Sequence, residues 1–140
     1  MYTNVLIGID LNHDPGYERE LHVAMNLAKD SMTRITALSV LGPIPSYVAE
    51  QIPADAIAAA SDEAMTRLRN IVGLNSEIIT EIRHGQAADV LLAYAEEHGI
   101  DCIVIASHTP GLKDYILGST AARVVRHATC SVHVMRQTGA

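Results

Sequence analysis

Two short stretches of the chain hold the residue types that recognise bases and anions. The first is Gly8-Ile9-Asp10, where the apolar run Val5-Leu6-Ile7-Gly8-Ile9 stops at a carboxylate. A carboxylate at the end of a buried strand either binds a ligand or closes an Asx turn, here into Asn12-His13. The sequence leaves both open. The second is Ser107-His108-Thr109-Pro110-Gly111, which leads to Gly118-Ser119-Thr120. Gly118 lets the backbone approach a ligand closely, and Ser119 is suited to cap a helix. The free N–H groups of a first helical turn then attract an anion. Gly-Ser before a helix is also ordinary capping, so the position of the motif in the fold must decide.

The elements that place these stretches follow from periodicity. Strand-length apolar runs cover 5–9, 35–41, 77–83, 102–106 and 130–135. Helical spacing covers 17–29 (Leu21, Ala24, Met25, Ala28) and 54–72 (Ile57, Ala60, Ala64, Leu68, Ile71), the latter ended by Gly73. A third helix carries Ala87, Val90, Leu91, Tyr94 and Ala95 and closes at Gly99. A fourth starts near Ser119 and presents Ala121, Val124, Val125 and Ala128 on one face. Regular β–α alternation predicts right-handed crossovers and a five-stranded parallel sheet with helices on both faces, and the order expected of it is a doubly wound one with the first and fourth strands adjacent, 3-2-1-4-5. Cys102-Ile103-Val104-Ile105-Ala106 is the most continuously apolar run, so it is expected centrally, buried on both faces. Residues 42–53 form the one long irregular connection, suited to a flap. Such sheets bind ligands beyond the carboxyl ends of their strands, where strand order reverses. That crevice lies between Gly8-Ile9-Asp10 and the loop beginning at Ser107.

Composition narrows the partners. The chain has 140 residues, read as one domain over 1–140, with 49% hydrophobic residues and no Trp or Phe. Its net charge of −6 argues against nucleic acid and anionic membranes, which need a basic surface, but leaves room for a phosphate held by local N–H groups. The first apolar run is too short for a signal-peptide core, and no run approaches a transmembrane span. Cys102 and Cys130 read as buried thiols in strands, which fits the cytoplasm.

Enzymatic alternatives find little support. No Gly-x-Gly-x-x-Gly follows the first strand, and no Lys stands between Gly118 and Ser119 as a phosphate-binding loop of NTPases requires. His13, Asp14 and His22 have no metal-ligand spacing. His127 suits a helix C-terminus and His133 a sheet surface, which leaves His108 as the histidine expected to face a ligand. No carboxylate pair is placed for acid–base chemistry. The expectation is a non-enzyme, with at most slow, incidental ATP hydrolysis.

Across nearly its whole length the sequence resembles the universal stress protein family. The resemblance is carried by Val5-Leu6-Ile7-Gly8-Ile9-Asp10, by Arg83-His84-Gly85-Gln86-Ala87 and above all by the C-terminal stretch. That stretch runs from Asp101 through Ser107-His108, then Leu117-Gly118-Ser119-Thr120-Ala121, then Val125-Arg126-His127-Ala128-Thr129-Cys130-Ser131-Val132. The family's nucleotide-binding branch has Gly, two residues, Gly, nine residues, then Gly-Ser or Gly-Thr. Here Ala106 and Thr109 replace the first two glycines, and eight residues separate Thr109 from Gly118. Ser107-His108-Thr109-Pro110 with Leu117-Gly118-Ser119 is closer to a Ser-His-Arg-Pro…Leu-Gly-Ser branch, with Thr109 for the Arg. The resemblance implies binding of ATP, or of AMP or ADP. Asp10 and the backbone near Val40 would meet adenine, and Gly8 the ribose. Ser107, His108 and Thr109 would line the ribose and α-phosphate, within the loop that ends at Gly111. Gly118, Ser119 and Thr120 would hold the outer phosphates, which Mg2+ or Mn2+ could bridge, with Lys113 or Arg123 adding positive charge. It also implies a homodimer through the last strand and an unknown protein partner. The alternative is a nucleotide-free dimeric interaction module of the same fold.

Overall fold

Val, Ile and Leu in unbroken runs bury both faces of a strand, so each such run is expected inside a helix-covered parallel sheet. The computed structural model describes residues 2–12, 17–28, 32–73, 77–107 and 117–136. In chain order these form β1 (Asn4–Gly8), α1 (Glu18–Leu27), β2 (Arg34–Leu41), α2 (Ser46–Ala49), α3 (Ala54–Val72), β3 (Ile78–His84), α4 (Ala87–Glu97), β4 (Cys102–Ala106), α5 (Ser119–His127) and β5 (Ser131–Met135). All strand pairs are parallel, in the order β3-β2-β1-β4-β5. Five strands, their order and the helical cover agree with the sequence reading.

Alternation along each strand divides the core in two. Val5, Ile7, Ala37, Cys102 and Val104 pack with Leu21, Ala24, Leu68 and Val72 of α1 and α3. Leu6, Leu38, Ile103 and Ile105 pack with Leu91, Ala95, Ala121 and Val124 of α4 and α5. Each Val, Leu or Ile among them contributes about 1.5–3 kcal/mol when fully buried. Gly73 ends α3 at φ +71°, a conformation that favours glycine. At the N-terminal end of the sheet the Asp101 carboxylate accepts the N–H groups of Thr3 and Asn4 and the Thr3 hydroxyl. Burial works to raise its pKa, but the accepted hydrogen bonds outweigh it and hold the group below its ordinary value.

Several expectations need correction. Residues 42–53 are not wholly irregular, because Pro45 opens α2 and its carbonyl accepts the N–H groups of Val48 and Ala49. A four-residue helix is too short to show a 3.6-residue period. β4 is buried from Cys102 to Ile105 as expected, but it lies between β1 and β5, and β1 holds the centre. Val125 is 46% exposed, not packed beside Val124, because consecutive helical residues point about 100° apart. Cys130 is half-buried and precedes β5, since the strand starts at Ser131. Cys102 is buried, and burial together with the neighbouring Cys130 and Asp101 pushes its thiol up to about 11. On β5, Ser131 and His133 are exposed as the alternation predicts, but Met135 on that face is buried against the α1 side. Among the described residues, no helix is long and apolar enough to cross a membrane.

Candidate functional site

Strand order reverses between β1 and β4, and there the carboxyl ends of the strands open into a cavity of about 300 Å³. The sequence-derived residues Gly8, Asp10, Val40, Ser107, Gly118, Ser119 and Thr120 all line it. His108, Thr109 and Gly111, like Lys113, lie outside the described residues.

The anion end is built by α5. Gly118 occupies its N-cap, with φ −63° and ψ 162°, and makes no side-chain cap. Ser119 was expected to cap, but the first helical bond runs from Ala122 N–H to the Gly118 carbonyl, so Ser119 is already the first helical residue. The N–H groups of Ser119, Thr120 and Ala121 therefore have no acceptor within the helix, and no acidic side chain stands in the first turn to neutralise the helix dipole. The N-terminus of α4, whose Ala87 also lines the cavity, differs. There Gln86 Oε1 accepts the Asp89 N–H at 3.0 Å, and Asp89 supplies a first-turn carboxylate.

Ser107 joins these walls. Its N–H donates to the Met135 carbonyl at 2.8 Å, and its own carbonyl accepts the Gly118 N–H at 2.7 Å. The chain thus leaves the sheet at Ser107 and returns to the same point at Gly118. Ser107 is 0% exposed, and its Oγ has no hydrogen-bond partner among the described residues. A buried hydroxyl left unmatched costs about 1–3 kcal/mol, which a polar ligand atom would recover.

The opposite end is built by the segment after β1. Ile9 N–H donates to the Leu38 carbonyl, and Asn12 N–H donates to Asp10 Oδ1 at 2.9 Å. The Asx-turn reading of Asp10 therefore holds. It closes an Asx turn with one oxygen, while Oδ2 accepts no hydrogen bond among the described residues. Gly8 forms the floor, where an added Cβ would stand 3.3 Å from Leu91 Cδ1 of α4. That close approach of β1 and α4 gives the glycine a packing reason as well.

Sequence reasoning missed Tyr17 and the apolar walls Leu38, Leu91 and Ile105. The apolar residues carry no signal that separates them from core. Tyr17 is 3% exposed, with its ring among Ile9, Leu11 and Leu21 and its hydroxyl 2.8 Å from the Asp10 N–H it accepts. Burial pushes that hydroxyl up to about 12, with the Asp10 N–H opposing and the Asp10 and Glu20 charges adding. It is therefore a neutral phenol at physiological pH. Arg123, a candidate to neutralise phosphate, is instead paired through Nε to Asp89 Oδ1 at 2.8 Å. The pair is half-exposed and joins α5 to α4, at a strength of about 0–1 kcal/mol.

Comparison with known proteins agrees with this fold. The profile of the universal stress protein family matches residues 1–136. Universal stress protein G of Escherichia coli O157:H7 is 31% identical over 143 residues, covering 97% of this chain and 100% of that protein. Universal stress protein G of Salmonella typhimurium is 44% identical over 78 residues, and that match covers 53% of this chain and about half, 55%, of the relative's length. Among solved structures, UspA from Lactobacillus plantarum superposes with a TM-score of 0.71 at 30% identity, covering 96% of this chain and 98% of that one. Two others share the fold at lower identity. A universal stress protein in complex with cAMP has a TM-score of 0.66 at 21% identity, covering 98% of this chain and 99% of that one. One from Archaeoglobus fulgidus in complex with dAMP has a TM-score of 0.63 at 19% identity, covering 96% and 98%.

Proposed function

The chain belongs to the universal stress protein family, and from that membership we propose that it is a regulatory protein that binds an adenine nucleotide, ATP in the first instance, without being an enzyme. The observation that carries the reading is the buried Ser107 Oγ, unpartnered among the described residues, beside the uncapped N-terminus of α5, in one cavity with Asp10. The phosphates lie against the N–H groups of Ser119, Thr120 and Ala121, and the base lies toward Asp10 and Val40. A divalent ion, Mg2+ or Mn2+, is held by the phosphates and not by a protein ligand set. The cAMP and dAMP complexes of family members support this orientation of interest toward adenine nucleotides. The protein acts in the cytoplasm, and the bound nucleotide alters how it meets a protein partner.

The test is the thermal midpoint with and without millimolar ATP and magnesium. A ligand at about 100 times its dissociation constant adds about 2.7 kcal/mol, several degrees for a domain of this size. The expected result is a rise with ATP but not with GTP, reduced in Asp10→Ala. No shift with ATP overturns the reading. It then favours the nucleotide-free dimeric module, a reading helped by the engagement of Arg123 with Asp89.

We further propose a homodimer through β5, which ends the sheet. Ser131 donates to Asp101, and Met135 accepts from Ser107, so these alternate residues turn their backbone groups inward. Val132 and Val134 therefore turn theirs outward, where a second copy can pair with them. Val134→Pro removes one outward donor and no bond to β4. Sedimentation should show a dimeric wild type and a folded, monomeric variant. An unchanged dimer would exclude this edge.

A further inference from the structure

The segment 9–12 after β1 has no regular secondary structure, yet three elements tie it down. Ile9 N–H is held by the Leu38 carbonyl of β2. The Leu11 carbonyl accepts Arg67 Nη2 of α3 at 2.6 Å. The Asp10 N–H is held by the Tyr17 hydroxyl at the start of α1, at 2.8 Å. The last tie bears on the cavity, because Asp10 and Tyr17 line it together. The Tyr17 ring cannot swing away, since it is 3% exposed and packed in the core of the α1–α3 face. Its hydroxyl is therefore a fixed acceptor at a fixed point, and it sets the height and orientation of the Asp10 backbone. The Asx turn to Asn12 then fixes the Asp10 carboxylate, with Oδ1 used internally and Oδ2 left for a ligand.

We infer that Tyr17 is a positioning residue for the base end of the site, holding the Asp10 carboxylate through its backbone N–H before any ligand arrives. The inference rests on the nucleotide reading above and deepens it. A ligand that meets an ordered Asp10 does not have to order that segment on binding, which is where preorganisation adds affinity. Tyr17 serves the start of α1 through its carbonyl, which accepts the Leu21 N–H, and its side chain makes no cap bond there, so Tyr17→Phe keeps that helical bond.

The experiment compares wild type, Tyr17→Phe and Arg67→Met. Calorimetric titration uses ATP, adenosine and inorganic tripolyphosphate, and amide hydrogen exchange of residues 9–12 is followed without ligand. Phe keeps the buried ring and leaves the Asp10 N–H without its acceptor, a loss worth roughly tenfold in affinity. Tyr17→Phe should therefore weaken ATP and adenosine by the same factor, leave tripolyphosphate unchanged and speed exchange in 9–12. Arg67→Met, which frees the other end of the segment, should shift the same readouts in the same direction. If tripolyphosphate weakens as much as ATP, the hydroxyl is merely structural and the inference falls. If wild type and Tyr17→Phe bind ATP equally, the inference falls and the nucleotide reading stands. A wild type that binds none of the three overturns the nucleotide reading and this one with it.

Discussion

Gly118→Val should lower ATP affinity by at least about tenfold, roughly 1.4 kcal/mol, while the thermal midpoint of the ligand-free protein stays within a few degrees of wild type. The two halves of this expectation have separate causes. Gly118 sits at φ −63° and ψ 162°, extended backbone that valine adopts readily, and its N–H bond to Ser107 survives the change. The fold therefore has little reason to suffer. The cavity does, because Gly118 lines it at the mouth of α5, and a branched side chain there stands between a phosphate and the N–H groups of Ser119, Thr120 and Ala121. Isothermal titration with ATP reads the effect, and circular dichroism melts check the fold. Unchanged affinity in a folded variant would move the phosphate site away from α5.

Gly85→Ala should destabilise the protein by roughly 2–4 kcal/mol with no direct effect on the ligand, because two costs coincide. Gly85 lies at φ +142°, where a side chain is strained in any surroundings. A Cβ there would also stand 2.7 Å from Val90 Cγ2. The residue cannot easily move away, because its N–H is bonded to the Leu41 carbonyl across the β2–β3 pair. The Val90→Ala background separates the two costs. Relief of the clash should recover part of the loss, and the backbone strain should remain. Urea melts of the two single variants and the double variant measure the coupling. A Gly85→Ala protein as stable as wild type would mean that the β3–α4 turn relaxes freely.

The parts of this fold that were legible in the sequence are those with a repeating signal. Val5–Ile7, Ala37–Leu38 and Cys102–Ile105 are continuous apolar runs, and runs of that length between helical segments leave one architecture open. The cavity that forms the candidate site was legible for a related reason. Gly118-Ser119-Thr120 and Asp10 lie where doubly wound sheets place ligands, so topology supplied what the short motif lacked. What escaped has no local signature. Tyr17 reads as an aromatic at a helix start, and its hydroxyl acquires meaning only when folding brings Asp10 beside it. The pairing of Arg123 with Asp89 joins residues 34 apart in sequence, so a cation expected at the phosphates is spent elsewhere. The Ser107 hydroxyl, unmatched among the described residues, is invisible until burial is known. α2, too short to show a period, and Val125, one residue around the helix from its buried neighbour, mark the resolution limit of periodicity itself.

The double tie at Ser107 has a consequence for how such proteins diversify. Met135 and Gly118 are both bonded to the Ser107 backbone, so the start of the helix that follows is tied to the sheet on both sides of Ser107. Loop-closure entropy changes by only about 0.6 kcal/mol when loop length doubles, so gaining or losing one residue costs next to nothing. The eight-residue spacing between Thr109 and Gly118 is then no defect of a nine-residue pattern. A change of length or chemistry between the two anchors is expected to leave the α5 end of the cavity in place. Loops drawn from relatives, spliced between Ser107 and Gly118 with the rest of the chain left untouched, would then show how far loop chemistry alone sets the ligand preference of the proposed site.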